Sequence, residues 1–191
     1  MNDPLSRRDV ALGLAATAAS AASPAFAANE DTYSEPEIVR AAERFFGAGA
    51  EGVATIVRRV FGEHGRPNGY IEGEEGSGAI GIGLRYGQGD MRLRAHAGST
   101  RVYWQGPSLG FDTGGNASKV FTLIYNMQRP DQIFRRFPGV DGSAYFVGGV
   151  GVNYQRADNI TLAPMRAGVG FRLGANLGYL AYSRRRRLNP F

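Results

Sequence analysis

The stretch Thr100-Arg101-Val102-Tyr103-Trp104-Gln105-Gly106-Pro107-Ser108-Leu109-Gly110-Phe111-Asp112-Thr113-Gly114-Gly115 decides how this chain is read. Thr100, Val102 and Trp104 alternate with Arg101, Tyr103 and Gln105, the period of a half-buried strand. Trp104 is the only tryptophan. Gly106-Pro107 then predicts a corner, because a continuing ladder would need the amide that proline lacks. A second apolar run follows and stops at Gly114-Gly115.

The same period recurs on both sides of this stretch. Ile80, Ile82, Leu84 and Tyr86 alternate with Ala79, Gly81, Gly83 and Arg85. Val120, Thr122 and Ile124 interleave with Phe121, Leu123 and Tyr125, which predicts a strand covered on both faces. Ala144, Phe146, Val150, Val152 and Tyr154 continue the pattern. Val169, Phe171, Leu173, Ala175, Leu177, Tyr179 and Ala181 share one face of a further strand. Pro130 to Phe137 breaks the series and reads as a short helix with proline in its first turn. Nearer the start, Ser34 and Glu37 form a capping box with Pro36 in the first turn. Ile38, Ala42, Phe45, Gly49, Val53, Ile56 and Val60 then make one apolar stripe, predicting a helix over 35–62. Gly47, Gly49 and Gly52 weaken its middle by up to ~1 kcal/mol each. Either the helix breaks there or the glycines admit a close neighbour.

Glycine also shares strand faces at Gly81 and Gly83, at Gly149 and Gly151, and at Gly170, Gly174 and Gly178. Inside strands that pattern means tight curvature or another element lying close to the backbone. The expected fold is therefore mainly β. It is a small antiparallel barrel of six to eight or more strands, with one N-terminal amphipathic helix packed on or in it. An open sheet wrapped around the helix is the alternative.

Residues 1–27 read as an export signal rather than as part of this fold. Ser6-Arg7-Arg8 precedes an alanine-rich apolar run from Val10 to Ala22, and Ala25-Phe26-Ala27 offers cleavage after Ala27. Ser6 to Leu12 also fits a twin-arginine signal, as an ordinary secretory signal with two arginines would. The run is shorter than the about 20 apolar residues that span a bilayer. Residues 28–191 are then expected to form one periplasmic domain. Cysteine is absent, which removes disulfides and thiolate metal sites. The net charge is +5, almost all of it arginine, with Lys119 the only lysine. Arginine-favouring codon usage accounts for that before phosphate binding does, and export argues against nucleic acid as a partner. An outer-membrane barrel is disfavoured, because Arg184 to Arg187 stand where its last strand should be apolar.

No reaction can be read from the motifs. Gly106 to Gly110 matches Gly-x-Ser-x-Gly around Ser108, but strand continues where a helix is required, and His64 and His96 both precede the serine. Gly76 to Gly81 matches Gly-x-Gly-x-x-Gly without the helix that a dinucleotide site needs. Two histidines and no cysteine argue against a structural zinc site, and no metal or cofactor is expected. Glu72, Glu74 and Glu75 suit a solvated rim, with calcium ligation alongside Asp90 only as the alternative, and Asp112 and Asp141 suit turns beside glycine. Arg184 to Arg187 form the one charge run, either a solvated terminus or a tether to anionic headgroups at ~1 kcal/mol per arginine.

These runs resemble a known family. They are Gly65-Arg66-Pro67-Asn68-Gly69-Tyr70, Gly73-Glu74-Glu75, Leu84-Arg85-Tyr86-Gly87, Trp104-Gln105-Gly106-Pro107-Ser108, Gly110-Phe111-Asp112 and Gly114-Gly115. Arg136-Phe137-Pro138-Gly139-Val140-Asp141-Gly142-Ser143-Ala144-Tyr145, Gly168-Val169-Gly170, Leu173-Gly174, Gly178-Tyr179-Leu180 and Asn189-Pro190-Phe191 continue them. The chain is similar to the EipA-type envelope integrity proteins of alphaproteobacteria. The resemblance implies a soluble periplasmic protein with a small β-barrel that supports the envelope, and it brings no catalytic residues. A fainter similarity, in the glycine-rich strands, is to SYLF-type lipid-binding domains.

The expected function is non-enzymatic binding of an envelope component, whether lipid, lipopolysaccharide or peptidoglycan-linked. The candidate surface is Trp104, Ser108, Phe111, Asp112 and Glu74, with Arg184, Arg185, Arg186 and Arg187 as a tether. One alternative is a hydrolase of envelope polymers. It would need two of Glu74, Asp112 and Asp141 to converge at roughly 5 to 9.5 Å. A lipid binder would instead show an apolar cavity lined by Trp104, Phe111 and Phe146.

Overall fold

A computed structural model describes residues 31–47, 52–78, 82–109, 118–167 and 178–187. Two helices come first, α1 (Glu35–Phe46) and α2 (Gly52–His64). Ten strands follow: β1 (Gly69–Gly78), β2 (Ile82–Leu93), β3 (Thr100–Leu109), β4 (Ser118–Tyr125), β5 (Arg136–Pro138), β6 (Tyr145–Val147), β7 (Val150–Val152), β8 (Gln155–Ala157), β9 (Ile160–Ala167) and β10 (Tyr179–Ser183). They form one antiparallel sheet in the order β5-β10-β3-β2-β1-β4-β9-β7-β6, with β8 also paired to β9. The sheet curls into a half-barrel. Beyond β5 the chain reaches β8 through a Gly139–Gln155 bridge and a 2.9 Å bond from the Val140 amide to the Tyr154 carbonyl. The mainly β, barrel-like expectation is met.

The apolar stripe near the start divides into two helices rather than one spanning 35–62. Ser34 caps α1, with the Glu37 carboxylate accepting from its amide at 2.8 Å and its hydroxyl at 2.7 Å. The helix ends where Gly47 takes a φ of 84°, a conformation that suits glycine best. Gly52 serves the other purpose, close approach. A Cβ there would lie 2.0 Å from the Val147 carbonyl oxygen at the β6–β7 turn.

β4 shows why this sheet needs cover on both sides. Phe121, Leu123 and Tyr125 pack outward against Ile38, Ala42, Val53, Ile56 and Val60 of the helices. Val120 and Ile124 face inward with Ile71, Met91, Leu93, Val102, Trp104, Leu162, Leu180 and Tyr182. The helices thus lie outside the curl, over β4, β7 and β9, and do not plug it. Away from them, the outward residues of β2 and β3 include Asp90 and Arg101, which pair at 2.9 Å. Among the described residues no helix is long and apolar enough to cross a membrane.

Two further expectations change. The helix expected over Pro130 to Phe137 is one 3-10 turn, Pro130–Ile133, after which β5 begins at Arg136. The Gln132 side chain holds the turn by accepting from the amides of Gln128 and Arg129. The corner expected at Gly106-Pro107 does not form, since β3 runs straight through it, with Pro107 opposite Leu84. Proline is tolerated there because pairing with β10 stops at Gln105, so no ladder on that side asks for its amide. Pro164 escapes in the same way, as pairing to β8 ends at Leu162 and to β7 begins at Met165.

Candidate functional site: an arginine cleft beside a buried ionic layer

Odd-numbered residues of β1 and β2 face the inside of the curl, as Ile71 and Met91 show. That parity brings Glu75 and Arg85 inward, and Trp104 of β3 and Arg166 of β9 meet them there. The Glu75 carboxylate accepts from Trp104 Nε1 at 2.8 Å and from Arg166 Nε and Nη2 at 2.9 and 3.3 Å. Arg85 Nε stands 3.6 Å away, and Arg166 Nη1 donates to Asn153 Oδ1 at 2.9 Å. Burial alone would raise the Glu75 pKa, but the two guanidiniums outweigh it and hold the carboxyl below its ordinary value. Burial pulls Arg85 the other way, below the usual guanidinium range.

Trp104 is therefore an interior residue, only 3 % exposed, and not part of a binding surface. It lies over a bed of glycine. A Cβ on Gly87 would sit 2.1 Å from its ring, and one on Gly73 would sit 2.6 Å away. Glu74, its expected partner, is exposed on the other face of β1, opposite Gln88 and Lys119. Ser108 belongs to β3 and pairs with Gly83. Phe111 and Asp112 lie outside the described residues. Phe146 is 43 % exposed on β6, so it shares no cavity with Trp104. Asp141 is exposed in a turn closed by the Ser143 hydroxyl on the Val140 carbonyl at 2.6 Å.

The arginine run has a different fate. β10 lies between β3 and β5, with Ala181 opposite both Gln105 and Arg136. Because β5 and β10 are antiparallel, the residues before β5 lie beside those after β10. The ladder continues one step further, from the Tyr182 amide to the Arg135 carbonyl at 2.9 Å. A cleft of about 460 Å³ opens here. Gln105, Ala181 and Ser183 line it with Phe134, while Arg135, Arg136, Arg184, Arg185 and Arg187 supply the charge. Of the four arginines expected to act as a tether, Arg186 alone is outside this lining, exposed to solvent.

Two of these guanidiniums rest on aromatic rings. Arg184 stands 4.2 Å from the Phe134 centroid, and Arg136 stands 4.8 Å from that of Tyr179. Arg135 is paired with Asp158. Among the described residues, no carboxylate lies within ion-pair distance of Arg136, Arg184, Arg185 or Arg187. Asp131, held by Arg129, still feels Arg184, which helps lower its pKa after the Arg129 hydrogen bond. Guanidinium stays charged at any physiological pH and presents a planar fork of donors. A cleft of this size and charge suits one anionic headgroup. Arg135 and Arg136 were not singled out in the sequence, where they are two isolated charges inside an apparent helix. Their sole signal is the antiparallel register with β10.

Known proteins give this geometry its context. A solved structure from Brucella abortus, described as a beta-barrel-like, uncharacterized protein, is 48 % identical in sequence with a TM-score of 0.76. The match covers 84 % of this chain and 99 % of that one. No curated protein matches. The profile of the family described as envelope integrity protein A matches residues 31–191, nearly the whole chain beyond the expected export signal. On that match the chain belongs to the envelope integrity protein A family.

Proposed function

We propose that the protein supports the cell envelope from the periplasm, without catalysis, by binding an anionic envelope component in the arginine cleft. A role in envelope integrity follows from the family. The cleft is the observation that carries the rest, since it gathers five arginines from two distant parts of the chain into one lining. Its charged groups are all guanidiniums, which hold anions and do not exchange protons near neutral pH. Arg184, Arg185 and Arg187 then act as one side of a site and not as a loose tail.

The test is co-sedimentation of the mature protein with vesicles of phosphatidylcholine alone or with one-third phosphatidylglycerol. Binding to the anionic vesicles that falls with added salt, and that drops on changing Arg135, Arg136, Arg184 and Arg185 to serine, is the expected result. Equal pelleting with both vesicle types would retire the cleft as an anion site. Mass spectrometry of material co-purified from the periplasm would then identify the natural ligand.

A further inference from the structure

We infer that the cleft is a two-fork clamp for a phosphomonoester, built from Arg136 and Arg184. This rests on the anion-binding reading above and narrows it from charge to chemistry. The observation behind it is how these two side chains are held. Each guanidinium lies over an aromatic ring, Arg184 on Phe134 and Arg136 on Tyr179, at 4.2 and 4.8 Å. Attraction to the ring holds the cation in place without using up its N–H groups, which can donate elsewhere. No carboxylate among the described residues takes those donors at ion-pair distance. The two forks come from neighbouring antiparallel strands. Phe134 precedes β5 and Arg184 follows β10, so both line the same cleft as Arg136.

Two planar forks need more acceptors than one. An Arg–phosphate fork uses two oxygens on parallel N–H bonds. A phosphodiester has two free oxygens and one negative charge, so it saturates one fork. A phosphomonoester has three free oxygens and about −1.5 to −2 charges at pH 7, so it can serve both. The cleft at about 460 Å³ also admits a terminal phosphate with the sugar or glycerol that carries it. The ligand class is thus a terminal phosphate on an envelope molecule, either lipid-linked or free.

The experiment compares vesicles containing phosphatidic acid with vesicles containing phosphatidylglycerol, matched for surface charge. The intact protein should prefer phosphatidic acid by about tenfold or more, the worth of one charge-assisted hydrogen bond. Arg136→Lys with Arg184→Lys keeps the charge and removes both forks. This variant should bind the two vesicle types alike. Phe134→Leu, which removes one ring, should lose part of the preference. Thermal unfolding and Trp104 emission check that each variant is folded. Glycerol 3-phosphate in solution separates the two sources: displacement at millimolar concentration indicates the free phosphate, and resistance indicates the lipid-linked one. Equal affinity of the intact protein for both vesicle types would overturn the clamp while leaving anion binding in place. Binding to neither would instead overturn the reading it rests on. A preference that survives in the lysine variant would also sink the clamp, because charge alone would then explain it.

Discussion

Removing the Glu75 side chain strands buried charge, which is costly. It is a buried carboxylate with an indole N–H and two guanidiniums turned on it. A buried pair gains little over an apolar isostere, but removing one partner strands the others. Glu75→Gln should therefore lower stability by about 3–5 kcal/mol, read by urea unfolding. Glu75→Leu combined with Arg85→Met and Arg166→Met should recover much of that loss, and a triple variant no better than the single would contradict the account. Trp104 offers an optical check on the same site. Gly87→Ala drives a Cβ into the indole, so the single tryptophan must move and its emission should shift to the red. This centre was hidden in the sequence for a plain reason. Glu75 follows Glu72 and Glu74 in one acidic run, and only its parity with Ile71 and Gly73 separates it from them. Arg166 sits likewise behind Leu162 and Pro164, where a proline made the strand hard to see.

At the scale of elements, α1 carries its own pH dependence. Glu37 accepts from the Ser34 backbone and hydroxyl and stands near Arg94, which brings its pKa down from 4.5 to about 2. The stability contributed is present above the unfolded value of 4.5 and is lost as pH falls toward 2. Ser34→Ala should cost about 1 kcal/mol at neutral pH and flatten stability between those limits. Circular dichroism melts at pH 7, 4 and 2.5 would measure both effects. Local periodicity made α1, β3, β4 and the capping box legible before any coordinates, because each depends on neighbours within a few residues. The break at Gly47 and the straight passage of Pro107 were less so. The first turns on the positive φ that Gly47 takes, and the second on what lies alongside, the end of the β10 ladder.

For the whole molecule, cover is divided unequally. Helices take the outer face of one half of the curl, and the other half presents charged side chains and the cleft. Deleting Arg184 to Arg187 removes three wall residues that lie outside every strand and are exposed. The melting temperature should stay within about 2 °C, the shift that a surface change of under 0.5 kcal/mol produces. Salt-sensitive vesicle binding should fall markedly. The cleft itself was beyond reach of a linear reading, since Phe134 to Arg136 and Ser183 to Arg187 are brought together only by the β5–β10 register.

That register also dictates an order of events. β10 comes after every other described strand in the chain, yet it is wedged between β5 and β3. While the ribosome still holds that segment, β3 and β5 each expose an unsatisfied flank. The protein must therefore wait for its rear portion to be released before it becomes protease-resistant, and the arginine cleft comes into being at that same moment.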